Sequence, residues 1–246
     1  MSNFFRETSF FYFFLFFFFL FFSDLYKSPK VSRDHISVMS WDLNVEWTTP
    51  QSGREIAEAA QKLGYVGIVF NHTTDKLNQK DTCTIKPLPL TITDLVTPQI
   101  GLLRNRSLSS KPDFQQRTRI TINMSDVSQH HGLSASNATL ASYDLIAVNP
   151  SNDKVLHAVL QNEIVDLISF DLSQRLPFFL KLTPVNMAIS RGVFFEIAYS
   201  ASLNDTTARR NFISNLQHIL HLTRGRQVCN AHSNLFQRIY PENVLN

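Results

Sequence analysis

Asp42 and Asn44 lie two residues apart in the apolar run WDLNVEW at 41–47, and His72 closes a second apolar run at 65–71. In an extended strand residues i and i+2 point to one side, so Asp42 and Asn44 are expected to face the same way. A carboxylate, an amide oxygen and an imidazole could together hold a hard cation, but the dense His set that holds transition metals is missing. The competing reading makes Asp42 and His72 polar groups satisfied within the core. Other histidines offer less. His130 and His131 are adjacent, point apart in either regular structure, and read as loop surface. His218 and His221 are three apart on a helix, which is half a metal site with no carboxylate or Cys to complete it. Only seven glycines are present, and no phosphate loop, nucleophile elbow or triad order appears among the motifs. Cys83 and Cys229 stand alone, without the spacing of a disulfide framework or a zinc site, and read as reduced thiols.

Positive charge is the second chemical resource. The net charge of +3 permits an anionic partner without proving one. Arg175 and Lys181 follow the fifth apolar run, while Arg209 and Arg210 follow the sixth, so all four are expected past the C-terminal ends of strands. Arg117, Arg119, Arg191, Arg224 and Arg226 precede strands or end helices, towards the opposite face. The helix dipole accounts for Arg224 and Arg226. Pairing with Glu196 or Asp166 inside the fold would account for Arg191. Arg209 and Arg210 follow Asp205 near a helix start, where positive charge is slightly disfavoured, so a phosphate or an acidic partner would compensate. Their structural alternative is a surface ion pair with Asp205 or a loop carboxylate. Phe178 and Phe179, between Arg175 and Lys181, suit base stacking, a protein contact or internal packing.

The elements that must position these residues follow from hydrophobic period. Strands are expected at 41–47, 65–71, 117–124, 144–149, 165–171, 193–199 and 226–231, with helices at 51–63, about 133–142, 153–162 and 206–224. Such alternation argues for a parallel sheet covered by helices, because parallel neighbours need a crossover connection. Seven strands in sequence favour a barrel over an open sheet. Ser52 or Gln51 is expected to cap the first helix, with Gly64 closing it. Phe212, Ile213, Leu216, Ile219 and Leu220 form the apolar stripe of the last helix. Residues 73–116 carry several prolines and a polar run, and loops of that length are functional or disordered. A short helix near 92–96 is expected within it.

The block PVNMAISRGVFFEIAYSASLNDTTARR at 184–210 resembles the TIM-barrel protein subunit of ribonuclease P and ribonuclease MRP. WDLNVEW, LGYVGIVFNH at 63–72, RTRITINMSD at 117–126, YDLIAVNPSN at 143–152 and VDLISFDLSQRLPFFLK at 165–181 follow in that family's order, which extends the resemblance from about Trp41 to about Arg226. It implies an α/β TIM-like barrel, incomplete at its C-terminus. It also implies a non-catalytic subunit that binds the catalytic noncoding RNA and other protein subunits, meets precursor tRNA indirectly, and works in the nucleus. Magnesium would then sit on the RNA, with no cofactor held by this chain and no membrane as partner. Arg175, Lys181, Arg191, Arg209 and Arg210 are the candidate RNA contacts. The first two strands also look like a worn form of the polymerase-and-histidinol-phosphatase metal site, with Asp42, Asn44 and His72 at vestigial positions. A divergent metal-dependent phosphoesterase is therefore the alternative.

Two segments fall outside the resemblance, which leaves 39–227 as the barrel. Residues 1–38 include an unbroken Phe, Tyr and Leu run from Phe10 to Phe22. As a helix it reaches about 20 Å, short of a hydrocarbon core about 30 Å thick. It reads as untranslated leader taken into the gene model, a signal or anchor segment, or a native extension. Residues 228–246 show neither strand–helix period nor a cap, and read as a truncation or retained intron. A chain beginning at Met39 is expected to fold no worse and aggregate less. N-terminal peptide mapping of the native protein checks this, and a peptide from within residues 2–22 would contradict it.

Overall fold

The seven apolar runs become seven strands of one sheet in a computed structural model that describes residues 41–63, 65–77, 82–89, 114–203 and 205–231. They are β1 (Trp41–Glu46), β2 (Gly67–Thr74), β3 (Gln115–Met124), β4 (Leu145–Pro150), β5 (Leu167–Ser169), β6 (Phe194–Ala198) and β7 (Val228–Ala231). Each pairs in parallel with the next, in strict chain order. Helices cross between them: α1 (Pro50–Lys62), the short α2 (Ala138–Ala141), α3 (Asp153–Leu160), α4 (Leu182–Ser190) and α5 (Thr206–Thr223). The result is a curled, open, TIM-like sheet. β1 and β7 come within 8 Å at Cα, but no hydrogen-bonded ladder joins them.

Period-2 alternation assigns the two faces. Ile68 and Phe70 pack outward with Ala57 and Ala60 of α1, and by register Ile120, Ile122, Val148, Ile168, Phe195 and Ile197 share that outer side. These side chains are 2% exposed or less, and each contributes about 1.5–3 kcal/mol by leaving water. Asn71, Arg119, Thr121 and Glu196 occupy the alternate positions and face inward. Small residues let α1 approach: a Cβ added at Gly53 would meet the Trp47 ring at 2.8 Å. That ring stands edge-on to Phe70, with centroids 4.9 Å apart.

Several local expectations need correction. Thr49, not Ser52 or Gln51, caps α1 by accepting from Ser52 N, because Pro50 starts the helix with its preset φ. α4 has no counterpart in the sequence reading: Pro184 is tolerated in its first turn, where no intrahelical donor is needed, and no side chain caps it. Of the segment expected to be helical at about 133–142 only α2 is helical, and a 3₁₀ turn, Val127–Gly132, precedes it. On α5, Phe212, Leu216 and Ile219 are buried as expected, but Ile213 is 39% exposed and Leu222 is buried instead. Residues 228–231 form β7 against β6. Part of the long excursion is anchored: Ile85 joins the outer core, and Gln116 clamps Leu88 through both its N–H and its carbonyl. The Phe-rich leader, Gly64, the helix expected near 92–96 and residues 232–246 lie outside the described residues. Among the described residues no helix is long and apolar enough to cross a membrane.

Gly67 marks where the first three strands meet. A Cβ there would lie 2.7 Å from the Trp41 ring and 2.8 Å from the Gln115 carbonyl oxygen, and the backbone contact cannot yield. Gly67→Ala is therefore expected to cost about 1–3 kcal/mol of folding stability. A urea titration checks it through a lowered midpoint.

Candidate functional site

The barrel interior is organised around one buried ion pair. Arg119 on β3 and Glu196 on β6 are both fully buried, on strands that are not neighbours. The guanidinium binds the carboxylate through two parallel contacts, Nη1 to Oε1 and Nη2 to Oε2, the second at 2.8 Å. Nη1 also donates to the Leu43 carbonyl at 2.9 Å, and Nε donates to Thr121 Oγ1 at 3.0 Å. Thr121 passes the chain on to Asn71 Oδ1 at 2.7 Å, and Asn71 Nδ2 donates to Asn44 Oδ1 at 2.7 Å. Charge and hydrogen bonds thus run from β6 through β3 and β2 to β1. Cys229 on β7 stands beside Glu196 in register, and burial, reinforced by that carboxylate and opposed by Arg119, pushes its thiol up to about 12.

This arrangement reassigns the first candidate site. β1 carries a bulge: Asp42 pairs with Ile68 and Val45 with Phe70, so three steps on β1 match two on β2 and simple alternation fails. Asn44 reaches inward to Asn71. Asp42 is buried and accepts from Asn44 N at 3.2 Å. Together with burial, its charge raises the hydroxyl of Tyr65 to about 12. His72 points the other way: it is exposed, with Nδ1 2.9 Å from the Tyr143 hydroxyl, because position 72 alternates with inward Asn71. Asp42, Asn44 and His72 therefore do not converge. Among the described residues no three His, Cys, Asp or Glu side chains group as metal ligands.

The basic candidates separate by rim. Arg175 and Lys181 are exposed in the connection from β5 to α4, and Arg210 is exposed in the opening of α5, all past strand C-terminal ends. Arg209 is half-buried and turns back to donate from Nη2 to the Leu203 carbonyl at 2.8 Å, so its position has a local cause. Asp205, expected as an ion-pair partner, caps α5 at Ala208 N. Arg191 lies on the opposite rim at the C-terminus of α4 and donates to the Asn162 carbonyl at 2.8 Å, while Glu196 belongs to Arg119. Asp166 accepts from Ile146 N, and burial raises its carboxyl above the usual range. The Phe pair divides: Phe178 is buried with its ring 5.8 Å from that of Phe170, and Phe179 is 78% exposed. Arg119 was expected at a strand start on the opposite face; its alternation with Ile120 and Ile122 is the signal that places it inside.

The family model for RNase P subunit p30 matches residues 39–231, which takes in every described strand. The chain belongs to the RNase P subunit p30 family. Relatives include the Arabidopsis thaliana protein GAMETOPHYTE DEFECTIVE 1, 35% identical over 76% of this chain and 36% of its own length. The Mus musculus ribonuclease P protein subunit p30 is 31% identical over 71% of this chain and 62% of its own. The chain thus spans about a third and about three-fifths of these two relatives. A chain in a cryo-EM structure of archaeal ribonuclease P with mature tRNA shares the fold, with a TM-score of 0.54 at 14% identity over 83% of this chain and 79% of that one.

The ion pair yields a stability prediction. Arg119→Met alone leaves Glu196 buried and unpaired, and is expected to cost about 3–5 kcal/mol. Arg119→Met combined with Glu196→Leu is expected to recover most of that loss. Chemical denaturation of the two single variants and the double variant checks the coupling.

Proposed function

We propose that this chain is a non-catalytic protein subunit of the ribonuclease P and ribonuclease MRP ribonucleoproteins. It binds the catalytic noncoding RNA and partner protein subunits in the nucleus and nucleolus. Through them it supports removal of 5′ leaders from precursor tRNA and processing of precursor ribosomal RNA. The observation that carries this reading is the family match through all seven strands, with the mouse relative named as a ribonuclease P subunit. The interior agrees with it. Barrel enzymes gather ligand-binding groups at strand C-terminal ends, whereas here the inward polar groups are occupied with one another and tie strands together. Magnesium held by the RNA would supply charge stabilisation and activate the attacking water. This chain contributes shape, docking surface and charge neutralisation at Arg175, Lys181 and Arg210.

Affinity capture of the tagged chain from cells, followed by RNA sequencing, tests the assignment. A reproducible structured noncoding RNA with partner subunits is the expected result, and capture of proteins without RNA contradicts it. Arg209 and Arg210 should then differ. Arg210→Glu is expected to keep stability, weaken RNA retention, and flatten the logarithmic salt dependence of affinity by about one unit. Arg209→Glu is expected to lower thermal stability first, since it loses the bond to Leu203. Thermal melts and salt titrations of the two variants check the contrast.

A further inference from the structure

The connection from β5 to α4 holds an aromatic ring in water by construction. Phe179 is 78% exposed, while its neighbours Phe178 and Leu180 are 7% and 5% exposed. Burial alternates through residues 178–181, inward at Phe178 and Leu180 and outward at Phe179 and Lys181. Lys181 has extended dihedrals, φ −104° and ψ 144°, and in extended chain residues i and i+2 share a side. Phe179 and Lys181 therefore project together. The stretch from 172 to 195 contains no acidic residue, so nothing within it neutralises Arg175 or Lys181.

The same connection is pinned from below. Asn215 of α5 donates to the Leu172 and Gln174 carbonyls at 2.9 and 2.8 Å, and Asn211 donates to the Ser173 carbonyl at 3.1 Å. Ser173 is also held by Asp171 through both its backbone N–H and its hydroxyl. These bonds hold the start of the connection, and buried Phe178 and Leu180 hold the chain on either side of Phe179, so the segment carrying the ring has less freedom to lose on binding.

We propose that this loop is a contact for unpaired RNA, in which Phe179 stacks on one base while Lys181 and Arg175 meet the flanking phosphates. The inference rests on the RNA-subunit reading above and adds the state of the RNA and the residue that recognises it. Single-stranded sites combine aromatic platforms with cations along the backbone. Cores of protein–protein interfaces are depleted in lysine, although arginine is enriched there. An exposed ring between two cations in sequence, in a stretch without an acidic residue, fits the first pattern.

Fluorescence anisotropy of the full chain with a labelled oligoadenylate of about 12 nucleotides, and with an RNA duplex of similar length, tests it. Phe179→Ala and Phe179→Leu are both expected to weaken oligoadenylate binding about tenfold, with Phe179→Trp retaining it, since the stacking face and not apolar bulk is required. Duplex binding should stay within about twofold for all three, because the phosphate contacts remain. Arg175→Gln and Lys181→Gln should each flatten the single-strand salt slope by about 0.7 unit. Circular dichroism confirms that every variant is folded. The proposal is overturned if wild type does not bind the oligoadenylate, if Phe179→Ala binds as wild type does, or if Phe179→Leu restores what Phe179→Ala loses, which marks an apolar protein contact. RNA captured from cells scores the family function separately: capture with failure here removes only the stacking assignment, and failure of both removes the proposed function as well.

Discussion

Arg119 and Glu196 connect strands that the sheet itself leaves apart. Among the described residues the ladder runs from β1 to β7 without a β1–β7 pairing, so the backbone pairing described does not fix how tightly the curl bends. A bidentate contact across the interior, from β3 to β6, supplies that restraint. Burying both ions has a large desolvation cost, several kcal/mol each, offset here by geometry and by further bonds to Leu43 and Thr121. Thr121, Asn71 and Asn44 depend on the same arrangement, since each takes its partner from the one before. Losing one ion leaves the other stranded, so the inner network stands or falls together.

The inward Asn44, Asn71, Arg119, Thr121 and Glu196 are bonded to one another, and the other basic candidates lie on the two rims. Arg175, Lys181 and Arg210 are solvent-facing past the strand C-terminal ends, and exposed Phe179 lies between the first two in sequence. Arg191 and Arg226 occupy the other rim and bond locally to the Asn162 carbonyl and to Asn186 and Thr223. Charge that has a structural reason thus lies mainly at helix ends. Arg175 and Lys181 stand exposed where the long connection from β5 leaves the sheet.

The strands were legible because period two is a direct consequence of a sheet with two unlike faces, and the order of motifs carried the family resemblance. The same alternation held more than was read from it. In RTRITINM, Arg119 and Thr121 share one side while Ile120, Ile122 and Met124 share the other, and Glu196 lies between Phe195 and Ile197. Two opposite charges on inward positions of apolar strands point to each other. Nearness along the chain sets Arg119 with the rim arginines and Glu196 with Arg191, but it does not state which side of a strand a residue faces. The β1 bulge leaves no sequence mark, so the shared facing of Asp42 and Asn44 could not be tested before the register was known. α4 escaped notice because Thr183, Pro184 and Val185 are weak helix formers, and packing on the sheet overrides that preference. The return of Arg209 to Leu203 depends on a 3₁₀ turn, Ser200–Ser202, that no period announces.

Single-turnover cleavage of precursor tRNA, by ribonucleoprotein assembled with either the wild-type chain or the Arg119→Met, Glu196→Leu double variant, tests the central claim most directly. Purifying assembled particles first separates chemistry from assembly. If the pair is structural and the RNA does the chemistry, the cleavage rate per assembled particle stays within about twofold of wild type. Particles that assemble normally and bind substrate, yet cleave at a rate lowered a hundredfold or so, would place the pair in the reaction and contradict the account.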